Sequence, residues 1–161
     1  MPRVERLAVD EGPRLREIRL RALSDAPDAF GSTFEEAAAR TAETWAQQLR
    51  ELPTFVAVTD GHDVGMVRCQ PDETRTDSVT LISMWVAPDA RRSGLGEALI
   101  DAAIEWARAN GVNRLLLYVV DDNAPAIALY ARKGFRPTGE IATLPPPREH
   151  IREHQRELRL G

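Results

Sequence analysis

The sequence is poor in cysteine and lysine and has no long hydrophobic run. Cys69 and Lys133 are the single representatives of their residue types among 161 residues. One cysteine excludes an intramolecular disulfide and a cysteine metal cluster, and we expect no metal site. The most apolar stretch, residues 115–120, is far shorter than the roughly 20 residues that a membrane-spanning helix needs. The sequence therefore predicts neither a disulfide scaffold nor a membrane protein.

A net basic charge is also missing. Acidic residues outnumber basic residues by 25 to 21, which gives a net charge of −4. Nucleic-acid binding needs a basic face for the phosphates, and anionic membranes attract basic segments, so we expect neither partner. Residues 1–15 contain no apolar core of a secretory signal, and a lone cysteine suits a reducing compartment. These features favour a cytoplasmic location.

The composition is that of a soluble globular protein, with 43% hydrophobic and 29% charged residues. The length suits one domain over residues 1–161. The apolar periodicity predicts a mixed α/β order of β-α-α-β-β-β-α-β-α-β-β. The predicted strands cover residues 3–9, 54–59, 64–70, 78–87, 114–120, 135–144 and 150–160, and the predicted helices cover residues 13–26, 42–52, 94–110 and 124–132. Charges of both signs at residues 148–159 predict an edge strand there.

The segment APDARRSGLG, residues 87–96, lies between a predicted strand and a predicted helix. Gly94 and Gly96 allow the backbone to approach a ligand closely. The free N–H groups at the start of the following helix favour an anion, and Arg91 and Arg92 can add charge-assisted contacts. The segment therefore predicts a loop that holds a phosphorylated cofactor; the alternative is an ordinary strand-to-helix turn with solvated arginines.

Two named phosphate motifs do not match this loop. A Walker loop ends in Gly-Lys-Ser/Thr, which is absent. The dinucleotide fingerprint needs a third glycine where this chain has Leu99, and it follows an early strand of a βαβ unit.

Two motifs together carry a family resemblance. Arg91-x-x-Gly94-x-Gly96 resembles the acyl-CoA signature of the GCN5-related N-acetyltransferases (GNAT). The segment NAPAIALYARKGF, residues 123–135, resembles the second signature of that family, Asn-x-x-Ala-x-x-Leu-Tyr-x-x-x-Gly-Phe. The order of the predicted elements also agrees, so the resemblance covers nearly the whole chain. It implies a twisted mixed sheet of about seven strands flanked by four helices.

The resemblance implies an acetyl-CoA site in the gap where the fourth and fifth strands splay apart. The fourth strand would pair with the pantetheine arm, the loop amides would cradle the pyrophosphate, and Asn123 would hydrogen-bond the arm. Tyr130 would lie near the thioester sulfur. The residues implied in cofactor binding are Met84, Trp85, Val86, Arg91, Arg92, Ser93, Gly94, Leu95, Gly96, Asn123, Ala126 and Tyr130.

Tyr130 is also the candidate general acid. A tyrosine has a reference pKa near ~10, so it is protonated at neutral pH and can donate to a departing thiolate whose pKa is about 8.5. The alternative is an aromatic side chain that only packs against the core.

The general base is open at this stage. Glu35 and Glu36 follow the turn of Phe30, Ser32 and Phe34, which the resemblance places at the acceptor pocket. A carboxylate there can take the proton of the amine, relay it through water, or attract the ammonium group. The alternative is a pair of solvated first-turn glutamates. Asp121 and Asp122 are rival candidates. The glutamate that many relatives carry on the fourth strand is absent, since Ser83, Met84 and Trp85 stand there.

The sequence thus predicts an acetyl-CoA-dependent N-acetyltransferase that acts on a primary amine of a small molecule by direct attack. Two alternatives stay open: a peptide or protein N-acetyltransferase, and an acyl-CoA-binding domain without turnover. The resemblance also implies a homodimer, with the C-terminal strand as the contact.

Overall fold

The computed structural model describes residues 2–161. The strands in this part of the chain are β1 (Arg3–Arg6), β2 (Thr54–Thr59), β3 (His62–Pro71), β4 (Ser78–Val86), β5 (Arg114–Val120), β6 (Arg136–Thr143) and β7 (Arg152–Arg159). The α-helices are α1 (Gly12–Asp25), α2 (Phe34–Ala38), α3 (Ala42–Glu51), α4 (Leu95–Ala109) and α5 (Ala124–Arg132). No described helix combines the length and the apolar composition needed to cross a bilayer.

The strands form one mixed sheet in the order β1-β2-β3-β4-β5-β7-β6. Among the described strands, only β4 and β5 form a parallel pair, and the other neighbours are antiparallel. The predicted α/β class with a sheet of about seven strands is confirmed. Strand β1 ends at Arg6 rather than at residue 9; its last register pair is Arg6 with Phe55, and the Leu7 N–H makes a final bond to the carbonyl of Thr54, where β2 starts.

The prediction of a C-terminal edge strand is wrong. Strand β7 lies between β5 and β6, and β6 forms the edge. The charges of β7 have partners across the sheet, since Arg114 Nε on β5 lies 2.5 Å from Glu157 Oε2. A dimer contact that adds a strand to this end of the sheet would therefore meet β6, not β7.

The described part of the chain has five α-helices rather than the predicted four. The additional helix is α2, which has five residues. It is too short to show a helical period, and its start depends on Thr33, whose side chain accepts the Glu36 N–H over 3.2 Å. The predicted turn at residues 28–34 therefore continues into a helix that carries Glu35 and Glu36.

The helices cover the two faces of the sheet and enclose two cores. On one face α4 packs against residues that include Val79, Leu81 and Leu115. On the other face α1 and α3 pack against residues that include Met66 and Trp85. Each helix buries its apolar stripe, which is the main source of stability for helices of this length.

A β-bulge in β4 changes the face of the sheet on which the side chains of this strand lie. Met66 pairs with Trp85 and Arg68 pairs with Ile82, so β4 has one residue more than β3 between these pairs. Ser83 lies in the bulge with φ +60°, in the left-handed region. Because of the extra residue, Leu81 packs on the α4 side whereas Trp85, four positions later, packs on the α1/α3 side.

Strands β4 and β5 separate after a short paired segment. They pair only at Ser78, Val79 and Thr80 of β4, opposite the first three residues of β5. Beyond Thr80 no pairing joins the two strands within residues 2–161. The splayed fourth and fifth strands that the resemblance implied are therefore present.

Candidate active site

The gap between β4 and β5 is a narrow cleft of about 70 Å³. Strand β4 supplies the bulge to one wall, β5 supplies the other wall, and α5 closes the cleft with Tyr130. The residues that line it are Ala29, Phe30, Leu81, Ile82, Ser83, Met84, Ile100, Leu117, Tyr118, Val119, Val120, Asn123 and Tyr130. Most of these side chains are apolar, so the few polar side chains among them are the candidates for catalysis and ligand binding.

Tyr130 is the buried hydroxyl donor of the cleft. It is 5% exposed, and its ring packs against Phe135 with centroids 6.0 Å apart. Burial alone raises the pKa of Tyr130 well above its ordinary value, because no charged group among residues 2–161 stabilises the phenolate. The hydroxyl is therefore protonated at neutral pH and can act only as a donor or a neutral acceptor.

Asn123 joins the cleft to α5. Its side-chain Oδ1 accepts the Ala126 N–H over 3.3 Å and so caps the helix that carries Tyr130. The carboxamide oxygen is thus used for the helix, whereas the amide nitrogen remains for a ligand in the cleft. The spacing of the Asn-x-x-Ala part of the motif follows from this cap.

The loop before α4 is built to admit an anion. Gly94 is the N-cap residue with φ +81°, and a Cβ at this position would meet nothing within 4 Å. The N-terminus of the 15-residue α4 has no side-chain cap, so its first N–H groups remain for a ligand. At Gly96 a Cβ would lie 3.1 Å from Leu129 Cδ2, so a side chain here would crowd Leu129 of α5.

These features fit the diphosphate of an acyl-CoA. The open space at Gly94 lies where its phosphates would meet the N–H groups of α4, and the separated β4 and β5 leave room for a thin, extended arm. Acyl-CoA is therefore compatible with the residues present.

Asp25 ties the loop to α1. Its Oδ2 accepts the Trp85 Nε1–H over 2.9 Å and a hydrogen bond from Arg91 Nη2 over 2.8 Å. Arg91 also donates Nε–H to the Val86 carbonyl over 2.9 Å. The Arg91 side chain therefore anchors the loop, whereas the Arg92 side chain is exposed and its backbone has φ +64°.

The structure brings only some of the predicted site residues into the cleft. Phe30, Met84, Asn123 and Tyr130 line it together. Phe34 and Trp85 instead line an open cavity of about 470 Å³ between α1 and the end of β4.

The other predicted residues lie around these two cavities. Ser32 lines neither of them. Glu35 and Glu36 are exposed on α2 and line neither cavity, and Glu36 Oε1 accepts the Thr33 hydroxyl over 3.1 Å. Val86 lies beside the loop, 3.8 Å from the position of a Cβ on Gly96. The roles of all these residues stay predictions.

Sequence reasoning missed polar groups that depend on tertiary structure. Tyr118 lines the cleft, and its hydroxyl lies 3.3 Å from Glu140 Oε2 and 3.3 Å from Gln155 Nε2. Glu153 pairs with Val120, which also lines the cleft, and burial raises the pKa of Glu153. No local pattern in the charged β7 sequence distinguishes this carboxylate from its neighbours.

Arg68 was also missed, although a signal was present. The arginine stands in the apolar part of β3 and is 5% exposed. A charged residue inside a buried run is rare and indicates a specific partner. That partner is the bulge, because Arg68 Nε donates to Ser83 Oγ over 2.9 Å.

Comparison with known proteins places this geometry in a family. Residues 15–135 match the model of the acetyltransferase (GNAT) family. A mycothiol acetyltransferase from Beutenbergia cavernae is 32% identical over 157 residues, which cover 85% of this chain and 47% of the relative. The chain thus spans about half the length of the curated relatives that it matches.

Solved structures share the fold. A GNAT-family acetyltransferase from Streptococcus pneumoniae superimposes with a TM-score of 0.84 at 22% identity, with 100% of both chains covered. An acetyltransferase from Salmonella typhimurium, solved with its cofactor acetyl-CoA, superimposes with a TM-score of 0.79 at 19% identity over 100% of this chain and 95% of that one. With the family model, the two motifs and the splayed strands in agreement, the chain belongs to the GNAT family of acetyltransferases.

Proposed function

We propose that this acetyltransferase moves an acetyl group from acetyl-CoA to the primary amine of a small molecule by direct attack. The observation that carries the proposal is the cleft between β4 and β5, which ends against the buried, protonated hydroxyl of Tyr130. Relatives named mycothiol acetyltransferases support an acceptor other than a protein.

Acetyl-CoA, when bound, supplies an acetyl thioester that a neutral amine attacks directly, with CoA leaving as the thiol. The backbone N–H groups of residues 91–96 would bind its diphosphate at the start of α4. Asn123 would donate from its amide nitrogen, and the backbone of residues 84–86 together with Ala126 would line the arm. Arg91 would contribute by holding the loop against Asp25.

Tyr130 would hold the proton that the leaving thiolate takes up. Its hydroxyl proton is available because burial keeps the phenol neutral. Proton donation by a positioned side chain contributes typically about 10²–10⁴-fold to rate. No covalent step on the enzyme is needed, since Cys69, the only cysteine, is fully buried and burial raises its pKa to about 12.

The proton of the incoming ammonium needs an acceptor. We assign this role to Glu153 of β7, through water, since burial raises the pKa of its half-buried carboxyl and the residue lies close to Tyr118, which lines the cleft from β5. For Glu35 and Glu36 we propose the electrostatic role: two exposed carboxylates beside Phe34 would attract the ammonium form of the acceptor.

The test is the release of CoA thiol from acetyl-CoA with a panel of small amines, amino acids and short peptides, beside calorimetric binding of acetyl-CoA. Turnover with a small amine supports the proposal. Turnover with peptides alone assigns a peptide acceptor and overturns the small-molecule part. Binding of acetyl-CoA without turnover would favour a domain that only binds the cofactor.

A further inference from the structure

Two arginines are buried directly behind the cleft. Arg19 on α1 is 3% exposed and Arg68 on β3 is 5% exposed. The Arg19 guanidinium carbon lies 4.6 Å from the ring centroid of Phe30, and Arg68 Nε donates to Ser83 Oγ over 2.9 Å. Phe30 and Ser83 both line the cleft. A single side chain, Phe30 for Arg19 and Ser83 for Arg68, therefore separates each guanidinium group from the cleft.

Neither arginine has a counter-ion in the described part of the chain. Arg68 donates to two neutral acceptors, Ser83 Oγ and, over 2.7 Å, Gln48 Oε1. Burial lowers the pKa of Arg19 to about 10 and that of Arg68 to about 9. The nearby charges that also lower these pKa values are cationic: Arg40 acts on Arg19, and Arg19 followed by Arg40 acts on Arg68. A buried charge without a partner strongly destabilises a fold, so a partner from outside the chain is expected.

The unpaired polar atoms near these arginines are all hydrogen-bond donors. Within residues 2–161, the buried side-chain atoms without a partner are Arg19 Nε, Arg19 Nη1 and Trp45 Nε1. Trp45 belongs to the same layer, because it packs in one core with Phe30. Donors that lack acceptors, together with uncompensated positive charge, fit a ligand group that only accepts hydrogen bonds and is negatively charged.

Arg148 fixes the loop of residues 27–31, which carries Phe30 over Arg19. Arg148 donates to the carbonyls of Pro27, Phe30 and Gly31 over 2.7, 3.0 and 2.9 Å. The backbone at Phe30 is therefore held in place, and the Phe30 ring both lines the cleft and contacts the Arg19 guanidinium. A group in the cleft can reach the guanidinium by displacing this ring.

We propose that Arg19 and Arg68 form a subsite for a carboxylate of the acceptor, so that the acceptor is an amine that also carries a carboxylate, as an amino acid does. The planar guanidinium matches a carboxylate, and a charge-assisted hydrogen bond is worth roughly twice a neutral one. This inference rests on the proposed function, because the acceptor is expected in this cleft.

The test measures binding of products rather than turnover. Calorimetry compares N-acetylglycine, N-acetyl-leucine, N-acetylglutamate and N-acetyl-lysine with their carboxamides, each titrated into the CoA-loaded protein and into the free protein. At least one acid is expected to bind about 30-fold or more tightly than its amide. If no acid binds more tightly than its amide in the unmutated protein, the subsite is overturned.

Variants locate the preference on Arg19. Arg19→Met keeps the side-chain length and removes one of the two charges, so it is expected to reduce the preference for the acid over the amide by about tenfold, with Arg68 holding the remainder. Arg16→Met, on the exposed face of the same helix, serves as the matched control and should keep the preference. A preference for the acid that is undiminished in Arg19→Met, with folding verified by circular dichroism, would overturn the assignment.

The two proposals fail separately. Absence of CoA release with every amine, or absence of acetyl-CoA binding, would count against the proposed function. The comparison of acid with amide in the free protein would still decide the subsite, because it needs neither turnover nor cofactor.

Discussion

Arg68 on β3 donates its Nε–H to the hydroxyl of Ser83 across 2.9 Å, and Ser83 is the residue of β4 whose backbone is left-handed. The buried guanidinium of Arg68 therefore stabilises the bulge, and the bulge sets which face of the sheet the second half of β4 packs on. Without the bulge, Trp85 would point to the α4 side, and the packing beneath the loop before α4 would be lost. The side chain of a neighbouring strand thus maintains the geometry of the cleft.

Ser83→Ala should destabilise the protein by about 1–3 kcal/mol, because it leaves a buried guanidinium N–H without an acceptor. Ser83→Gly loses the same hydrogen bond but removes the strain of a left-handed backbone at a residue with a Cβ. That strain costs roughly 1 kcal/mol, so Ser83→Gly should lose less stability than Ser83→Ala. Urea unfolding measures both. Ser24→Ala, on the exposed surface of α1, is the control; the argument fails if Ser83→Ala is no less stable than this variant.

Gly94 and Gly111 make a matched pair of positions before and after α4. Both have positive φ, +81° and +73°, and at both a Cβ would enter open space. Alanine at either position should cost about 1–2 kcal/mol of stability through backbone strain alone. Only Gly94→Ala should also weaken acetyl-CoA binding, by about tenfold or more, since it disturbs the N–H groups at the start of α4. Equal affinities of the two variants in calorimetry would contradict the assignment of the loop.

Tyr130→Phe should lower kcat by about 10²–10⁴-fold and leave the affinity for acetyl-CoA unchanged, because only the proton donor is removed. The raised pKa of Tyr130 implies that kcat does not fall between pH 7 and 9 through loss of this proton. Tyr118→Phe removes a second hydroxyl from the same cleft and should cost less than tenfold. A Tyr130→Phe enzyme with unchanged kcat would leave the acid role to another group.

Glu153→Gln should lower kcat/KM and abolish the acid limb of its pH profile. Burial raises the pKa of Glu153, so the limb should lie above the range of an ordinary glutamate, with activity rising as pH increases through it. The double variant Glu35→Gln/Glu36→Gln should instead raise KM at low ionic strength, with the effect fading in salt. Loss of the limb in the double variant, rather than in Glu153→Gln, would reassign the base to α2.

Features that one stretch of chain encodes could be predicted from the sequence. The loop of Gly94 and Gly96 and the helix that Asn123 caps each combine a local backbone requirement with a nearby residue that meets it. The placement of Tyr130 followed from the same motif. These local signals, with the apolar periods of the strands, were sufficient to predict the mixed sheet.

Features that depend on contacts between distant segments could not be predicted. Ser83 has no glycine or proline beside it to indicate a bulge, and the partner that holds it is 15 residues away. The alternating charges of β7 fit an edge strand or an internal strand equally well until Arg114 is seen opposite Glu157. Helix α2 is shorter than two turns, so its sequence shows no period.

Arg19→Met should make the protein more stable while it weakens the preference for carboxylates. The variant replaces a buried, uncompensated charge with an apolar side chain of similar length, a type of change that can stabilise by roughly 1–4 kcal/mol. A residue kept at the expense of stability is expected where function requires it. Urea unfolding at pH 7 measures the gain, and Arg16→Met should show none.

The stability gained by Arg19→Met should decrease as the pH rises above about 10. Burial lowers the pKa of Arg19 from 12.5 in its ordinary state to about 10 in the folded protein. The penalty for burying the charge is therefore complete below pH 10, where the group is protonated in both the folded and the unfolded state. Above pH 10 the folded protein can release the proton, so the advantage of Arg19→Met over the unmutated protein should shrink. Chemical denaturation at pH 7, 9 and 10.5 measures this difference; an advantage that grows with pH would mean that Arg19 is not a buried charge without a partner.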